Sequence, residues 1–395
     1  MHRILTIGLI AFSLSACTGE RLLSSPPEQV YQAAVVPGLP GIRSYGDVAP
    51  LDAEQQLKTI QQQIADRFAA EGKLPNNGRV DILVLSGGGS DGAYGAGLLN
   101  GWSDRIGRPE FALVTGISTG ALIAPFAFLG SDYDDELERF YTNTGTDDLI
   151  DLQIFSALTG RVLGLTNTSK LRETLTRVIN RDFLDRIADE HRKGRRLLIG
   201  TTNLDAQRPV TWDIGAIAVS DHPKRLRLVR DILLASASIP GAFPPVLFNV
   251  AIGNRAYSEM HVDGGVTRQL FALPRGLGLR ETEIPGEAAM TLGTIYVVRN
   301  TKLAPSFADT EAGIFHIAAR SISTLIKSSG VADVGTVREV AREEGFGLAL
   351  TAVPESFDVP EQDLFDPVYM RALFKVGYDL AFEGEPWETV LEPAE

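Results

Sequence analysis

Ser118 stands in Gly116-Ile117-Ser118-Thr119-Gly120, about thirty residues after the run Ser86-Gly87-Gly88-Gly89-Ser90-Asp91-Gly92. A serine with glycine two residues away on each side fits a sharp strand-to-helix turn. Small neighbours there let the backbone bend and expose the hydroxyl. Glycines at the end of a strand leave N–H groups bare and able to face a developing negative charge. A nucleophilic hydroxyl and a hole for an oxyanion together spell acyl transfer.

A serine hydroxyl is a poor nucleophile until a base takes its proton. One class of base is histidine, and His191, His222, His261 and His316 all follow Ser118. His191 lies in Asp189-Glu190-His191-Arg192-Lys193 and reads as part of a solvated face; His222 precedes Pro223 in a polar loop. His316 sits among apolar residues in a helical pattern, as a core histidine or, alternatively, the base of a Ser-His esterase. The other class is a carboxylate. Asp263, in His261-Val262-Asp263-Gly264-Gly265, ends a strand that begins near Tyr257, and the two glycines permit a tight turn around it. Taken alone, Asp-Gly-Gly is a common turn sequence.

The elements that must position these residues alternate between strand and helix. Val80-Asp81-Ile82-Leu83-Val84-Leu85 has the near-continuous apolar character of a buried parallel strand. A helix follows over about 93–106, a strand over 111–115, the Ser118 turn, and a helix over about 121–129. Further strands are expected at 196–202 and 294–298. This order indicates an α/β fold, a mostly parallel central sheet with helices on both faces. Leu57, Ile60, Ile64 and Phe68 recur at helical spacing and predict an amphipathic helix over about 52–70. A terminal helix is expected over 366–382. The apolar segment 149–165, after the acidic run 132–138, reads as a lid or as a buried helix pair.

In this order the motifs resemble those of the patatin-like phospholipases. That family carries a glycine-rich oxyanion loop, a G-x-S-x-G elbow and a late D-G-G or D-G-A. Here these are Gly87 to Gly92, Gly116 to Gly120 and Asp263-Gly264-Gly265. Ala235-Ser236-Ala237-Ser238-Ile239-Pro240-Gly241-Ala242-Phe243-Pro244-Pro245-Val246 resembles the family segment upstream of the aspartate, and Thr201-Thr202-Asn203-Leu204 its central strand end. The resemblance covers roughly residues 79–275. It implies a three-layer sandwich and a Ser-Asp dyad with no catalytic histidine. Ser118 would then be the nucleophile and Asp263 the general base and acid. The amides of Gly87, Gly88 and Gly89 would form the oxyanion hole, with no metal or cofactor, and lipid acyl esters would be the substrates. One position departs: the family's loop usually has Lys or Arg before its last glycine, and here Asp91 stands there. That removes a cation that could help hold an anionic head group or brace the oxyanion loop.

The 395-residue chain is 44% hydrophobic and carries a formal net charge of −13. An acidic body argues against nucleic acid and against electrostatic adhesion to anionic lipid, so membrane attachment must come from elsewhere. Met1-His2-Arg3 is a short basic start, and the apolar stretch 4–14 is too short to span a bilayer. It ends in Leu14-Ser15-Ala16-Cys17, which resembles the lipobox of bacterial lipoproteins, in which the cysteine becomes the acylated first residue. Cys17 is the single cysteine of the chain, so no intramolecular disulfide is possible. Thr18 after it resembles the outer-membrane default.

The expected organisation is a signal peptide at 1–16, then a lipidated Cys17 and flexible Pro/Gly/Ser-rich tether to 50. An N-terminal helix at 51–78, a catalytic core at 79–275 and the remainder of the same domain at 276–395 complete it. Two other readings compete. Gly87, Gly89 and Gly92 satisfy G-x-G-x-x-G, with Glu110 near the spacing of a ribose-binding acid. The same fold could also serve as a catalytically silent lipid- or protein-binding surface lipoprotein. The pH profile should separate the bases. A carboxylate starts near its reference pKa of about 3.9 and is displaced by its surroundings, whereas a histidine centres near about 6.5.

Overall fold

The computed structural model describes residues 21–50, 52–143, 145, 151–152, 166–273, 290–307, 309–384 and 386–392. Its centre is a ten-stranded sheet. The parallel part is built from β2 (Arg79–Leu85), β3 (Leu113–Ile117), β6 (Arg196–Asn203), β10 (Thr291–Arg299) and β11 (Gly347–Ala352), in the spatial order β6-β3-β2-β10-β11. Antiparallel strands flank it: β7 (Arg208–Asp213) and β1 (Arg43–Tyr45) beside β6, and β12 (Glu388–Leu391) beside β11. Two short strands, β4 (Asp151–Leu152) and β5 (Thr166–Asn167), pair separately.

Strand β2 shows why the layers number three. Leu83 and Leu85 belong to one apolar cluster, Ile82 and Val84 to a second on the other face. Successive side chains point to opposite faces of a strand, so a continuous apolar run must be covered twice. The first face is covered by α2 (Gly92–Ile106), α3 (Thr119–Leu129) and α4 (Asp134–Thr142). With them pack α5 (Ser169–Val178), α6 (Arg181–Arg192), α7 (Ile214–Val219), α8 (Arg225–Ser236) and α10 (Pro367–Glu383). A Cβ on Gly97 would lie 1.9 Å from the Phe374 carbonyl oxygen, so glycine lets α2 and α10 approach backbone to backbone. The second face receives the C-terminal part of α9 (Ile314–Glu344) through Val337 and Ala341.

The predicted amphipathic helix is α1 (Ala53–Glu71), closed by Gly72 in the left-handed conformation. None of its residues is fully buried. It roofs an apolar cavity of about 280 Å³ together with Ile82, Leu113, Leu198, Leu292 and Phe346, on the second face of the sheet. Neither Ser118 nor Asp263 lines it.

The segment 21–50, expected as a flexible tether, is part of the fold. Arg21 forms a bidentate pair with Asp205 at 2.6 Å, Ser24 O accepts from Ser258 N at 3.0 Å, and Val35 bridges Ala251. Ala34, Val36, Leu39 and Ile42 are buried, and Arg43 is paired with Glu259 inside the protein. Pro and Gly signalled irregular backbone correctly, but irregular backbone pinned by hydrogen bonds and apolar contacts is not flexible. Cys17 and most of the segment 149–165 lie outside the described residues.

Candidate active site

Two strands meet end to end on one flank of β6. β3 pairs with its first half, Ile117 opposite Gly200, and antiparallel β9 (Arg255–Asp263) pairs with its second half, Asp263 opposite Thr201. Adjacent registers on the same strand therefore bring the end of β9 to the end of β3, where the chain turns at Ser118. Opposed strand directions, and not sequence proximity, place the carboxyl beside the hydroxyl.

Ser118 alone separates β3 from α3. Its φ of 55° and ψ of −125° are unusual for a residue with a side chain, and such strain persists only where the surroundings enforce it. The enforcing contacts are close: a Cβ on Gly120 would lie 2.4 Å from the Leu85 carbonyl oxygen. The Ser118 N–H donates to Ser236 Oγ at 3.0 Å, and Ser236 in turn donates to the Gly200 carbonyl at 2.7 Å.

Asp263 is buried at the end of β9. Its N–H donates to the Ser238 carbonyl at 2.9 Å, and its Oδ1 accepts from Gly265 N at 2.7 Å. Oδ2 is buried with no hydrogen-bond partner among the described residues. Burial pushes the carboxyl up to about 7, opposed by the nearby Ser118 hydroxyl and the Gly265 amide. The serine thus lies within electrostatic reach of an oxygen that has no settled partner. Catalytic hydrogen bonds often tighten only when substrate binds.

The glycine loop connects β2 to α2. A Cβ on Gly88 would lie 2.1 Å from the Asn300 carbonyl oxygen, and Gly89 has φ +59°, so both positions need glycine. Asn300 braces this loop: its Nδ2 donates to Ser86 O at 2.9 Å and its Oδ1 accepts from Gly95 N at 3.1 Å. Gly87 differs from the sequence expectation. Its N–H donates to the Gln269 carbonyl at 3.1 Å, which removes it from the oxyanion donors. The amides of Gly88 and Gly89 donate to no atom among the described residues. A helix N-terminus stands on each side of the serine, α2 behind the loop and α3 behind Ser118, and both favour negative charge between them.

Ser118 and Gly89 open into an apolar cavity lined by Leu122, Phe140, Leu171, Phe243, Phe365 and Met370, among others. Its volume of about 30 Å³ admits water but not an acyl chain. The walls must part for a chain to enter.

Two histidine expectations are corrected. His191, expected on a solvated face, is buried at the end of α6, and burial holds it down at about 4 against the pull of Asp213. His316, expected in the core, is exposed on α9 beside Glu311. His261 is fully buried between Glu259 and Thr201, and none of the histidines lines the Ser118 cavity. Glu110, the supposed ribose acid, is held by Arg67 at 2.6 Å.

Four bracing residues were not assigned roles from sequence: Ser236, Gln269, Asn300 and Tyr369. Ser236 lay inside a segment whose resemblance was noted. Asn300 follows an apolar strand, Gln269 lies past the turn after Asp263, and Tyr369 opens a helix, none with a local mark of function. Tyr369 accounts for Asp91: its hydroxyl donates to Asp91 Oδ1, tying the glycine loop to α10. Burial raises the Asp91 carboxyl to about 6, against that bond.

Fold and site together define a three-layer α/β protein whose strained serine stands beside a buried carboxyl and a glycine loop. Residues 83–274 match the family model of patatin-like phospholipases, so the chain carries a patatin-like domain. No curated protein matches the sequence. Among solved structures, the chain is similar to VipD from Legionella pneumophila, at 12% identity and a TM-score of 0.35. That alignment covers 78% of this chain and 66% of VipD. It is also similar to human GIVD cytosolic phospholipase A2, at 10% identity and a TM-score of 0.31, covering 80% of this chain and 52% of that one. The chain thus spans between half and two thirds of the length of these two proteins.

Proposed function

We propose that the chain is a serine lipid acyl hydrolase, of phospholipase A or esterase type, working through a Ser118–Asp263 dyad and an acyl-enzyme. The observation that carries this reading is the meeting of a strained Ser118 with a buried Asp263 whose Oδ2 has no hydrogen-bond partner among the described residues. Asp263 accepts the proton as Ser118 Oγ attacks the ester carbonyl. The amides of Gly88 and Gly89 hold the oxyanion, a contribution of about 3–4 kcal/mol per donor in comparable sites. Protonated Asp263 passes its proton to the departing alcohol or lysolipid. Asp263 then activates the water that hydrolyses the acyl-enzyme and returns Ser118. None of these steps draws on a histidine.

The proposed setting is the bacterial cell envelope, most simply the outer membrane, with the chain anchored through acylated Cys17. The test of the chemistry is hydrolysis of a medium-chain acyl ester and of phospholipid micelles by the mature chain, with Ser118→Ala and Asp263→Asn beside it. Activity in the parent and its loss in both variants is the expected result. An inactive parent would favour a silent binding protein, and an active Asp263→Asn variant would exclude the dyad.

A further inference from the structure

The 31-residue helix α9 is longer than the sheet it packs on, about 46 Å at 1.5 Å per residue. Its C-terminal part is seated through Val337 and Ala341. At Gly330 it passes Arg299, the last residue of β10; a Cβ there would lie 2.1 Å from Arg299 Nη1. Because α9 runs back to the start of β11, residues 314–329, about 24 Å of helix, continue past Arg299 at the C-terminal edge of the parallel strands. That is the edge where β3 ends at Ser118.

The overhang bears apolar side chains in the open. Ile317, Ile322 and Leu325 are 51%, 50% and 69% exposed, and Phe307, on the loop after β10, is 97% exposed. That loop is strapped to the helix by Lys327 Nζ donating to Ala304 O at 2.5 Å and by Arg320 donating to Ser306 O. Between residues 312 and 332 the chain carries Arg320 and Lys327 and no Asp or Glu, within a chain of net charge −13. Exposed apolar residues on a helix with local positive charge fit a phospholipid interface.

Arg21, the first described residue, lies at the same edge. Arg21 is fixed to Asp205, two residues beyond the end of β6, and Cys17 precedes it by four residues, at most about 14 Å of extended chain. Acyl chains on Cys17 would hold this edge close to the membrane surface.

We infer that the overhanging half of α9, with Phe307, is a docking element for a phospholipid bilayer, holding the Ser118 edge of the sheet against the lipid. Its choice of occupant rests on the lipid-ester reading proposed above. The test uses the full-length chain matured in a bacterial host and reconstituted in phosphatidylethanolamine–phosphatidylglycerol vesicles. Ser118→Ala is included so that no lipid is consumed. Leu325→Cys carries an environment-sensitive fluorophore, and the control site is Ile106→Cys, 73% exposed at the far end of α2. The mass of the N-terminal peptide reports acylation of Cys17 separately.

A blue shift at position 325 that brominated lipid chains quench, with aqueous emission at position 106, is the expected result. Aqueous emission at 325 in vesicle-bound protein overturns the inference, as does failure of the protein to associate with vesicles. A shift that grows with protein density at fixed lipid assigns the face to a second copy of the chain and overturns it too. Quenching at 325 in a Cys17→Ser chain, which has neither acyl chains nor a second thiol to label, leaves the docking element standing and removes only the anchor. The readout needs no turnover, so an inactive parent enzyme would sink the hydrolase reading while leaving this one to its own result.

Discussion

Ser236 holds Ser118 by its backbone: the hydroxyl accepts the Ser118 N–H at 3.0 Å and donates to Gly200 O at 2.7 Å. The strained turn at Ser118 is thereby tied to β6, the strand that also aligns Asp263. Ser236→Ala would leave a buried N–H and a buried carbonyl each without that partner, a destabilisation of about 1–3 kcal/mol. A nucleophile displaced by about 1 Å can lose about 100-fold in rate. Thermal unfolding and ester kcat of the variant should both fall; an unchanged kcat would count against this role.

On the proposed dyad, Asp263 sets the pH dependence. It must be ionised to accept the serine proton, and burial raises it to about 7. Activity is therefore expected to rise with pH through about 7 and to be lost below, as kcat/KM of the free enzyme would show. This overlaps the histidine range, so the pH profile that the sequence offered as a discriminator no longer separates the bases; the Asp263→Asn variant does.

The same shift makes a stability prediction of definite sign. The folded carboxyl lies above the unfolded value of about 3.9, so ionising it disfavours the fold increasingly as pH rises from about 4 to about 7. Asp263→Asn keeps the Gly265 contact without the charge. It should be more stable than the parent at pH 8, on the order of a few kcal/mol, with the difference closing toward pH 4. Melting curves across that range measure it.

Gly88→Ala would drive a methyl into the Asn300 carbonyl, which would lie 2.1 Å from it. The loop must retreat from the end of β10 and take its amides with it. Loss of one oxyanion donor costs about 100- to 1000-fold in kcat. Gly87→Ala meets Gln269 Oε1 at 3.0 Å and Ser118 Cβ at 3.2 Å, side-chain contacts that a shift of a few tenths of an ångström relieves, and should be milder. Equal effects would contradict the assignment of Gly88 and Gly89 as donors without Gly87.

Tyr369→Phe would strip Asp91 of its side-chain partner. The penalty should be about 1–3 kcal/mol and felt mainly above pH 6, where Asp91 is ionised. A pH-independent loss would mean that Tyr369 acts only by packing.

Arg43→Ala tests whether the N-terminal segment is structural. It would leave Glu259 buried beside His261 alone, and breaking a buried ion pair typically costs about 3–5 kcal/mol. Loss of cooperative unfolding is expected; a variant as stable as the parent would restore the tether reading.

The alternation of apolar runs with helical periodicity made the α/β class legible, because a strand buried on both faces cannot hide its continuous hydrophobicity. The glycines around Ser118 and in the oxyanion loop were legible because backbone that must turn sharply or pass within van der Waals contact excludes a Cβ. Asp263 was ambiguous as a turn residue until resemblance singled it out. Its meeting with Ser118 depends on two strands of opposite direction sharing one flank of β6. No local signal encodes that register. Tertiary structure also decided that Gly87's amide is occupied, that His191 is buried and His316 exposed, and that residues 21–50 are packed. In each case sequence supplied a group's chemistry, whereas its hydrogen-bond partner and its access to water are set by residues distant along the chain.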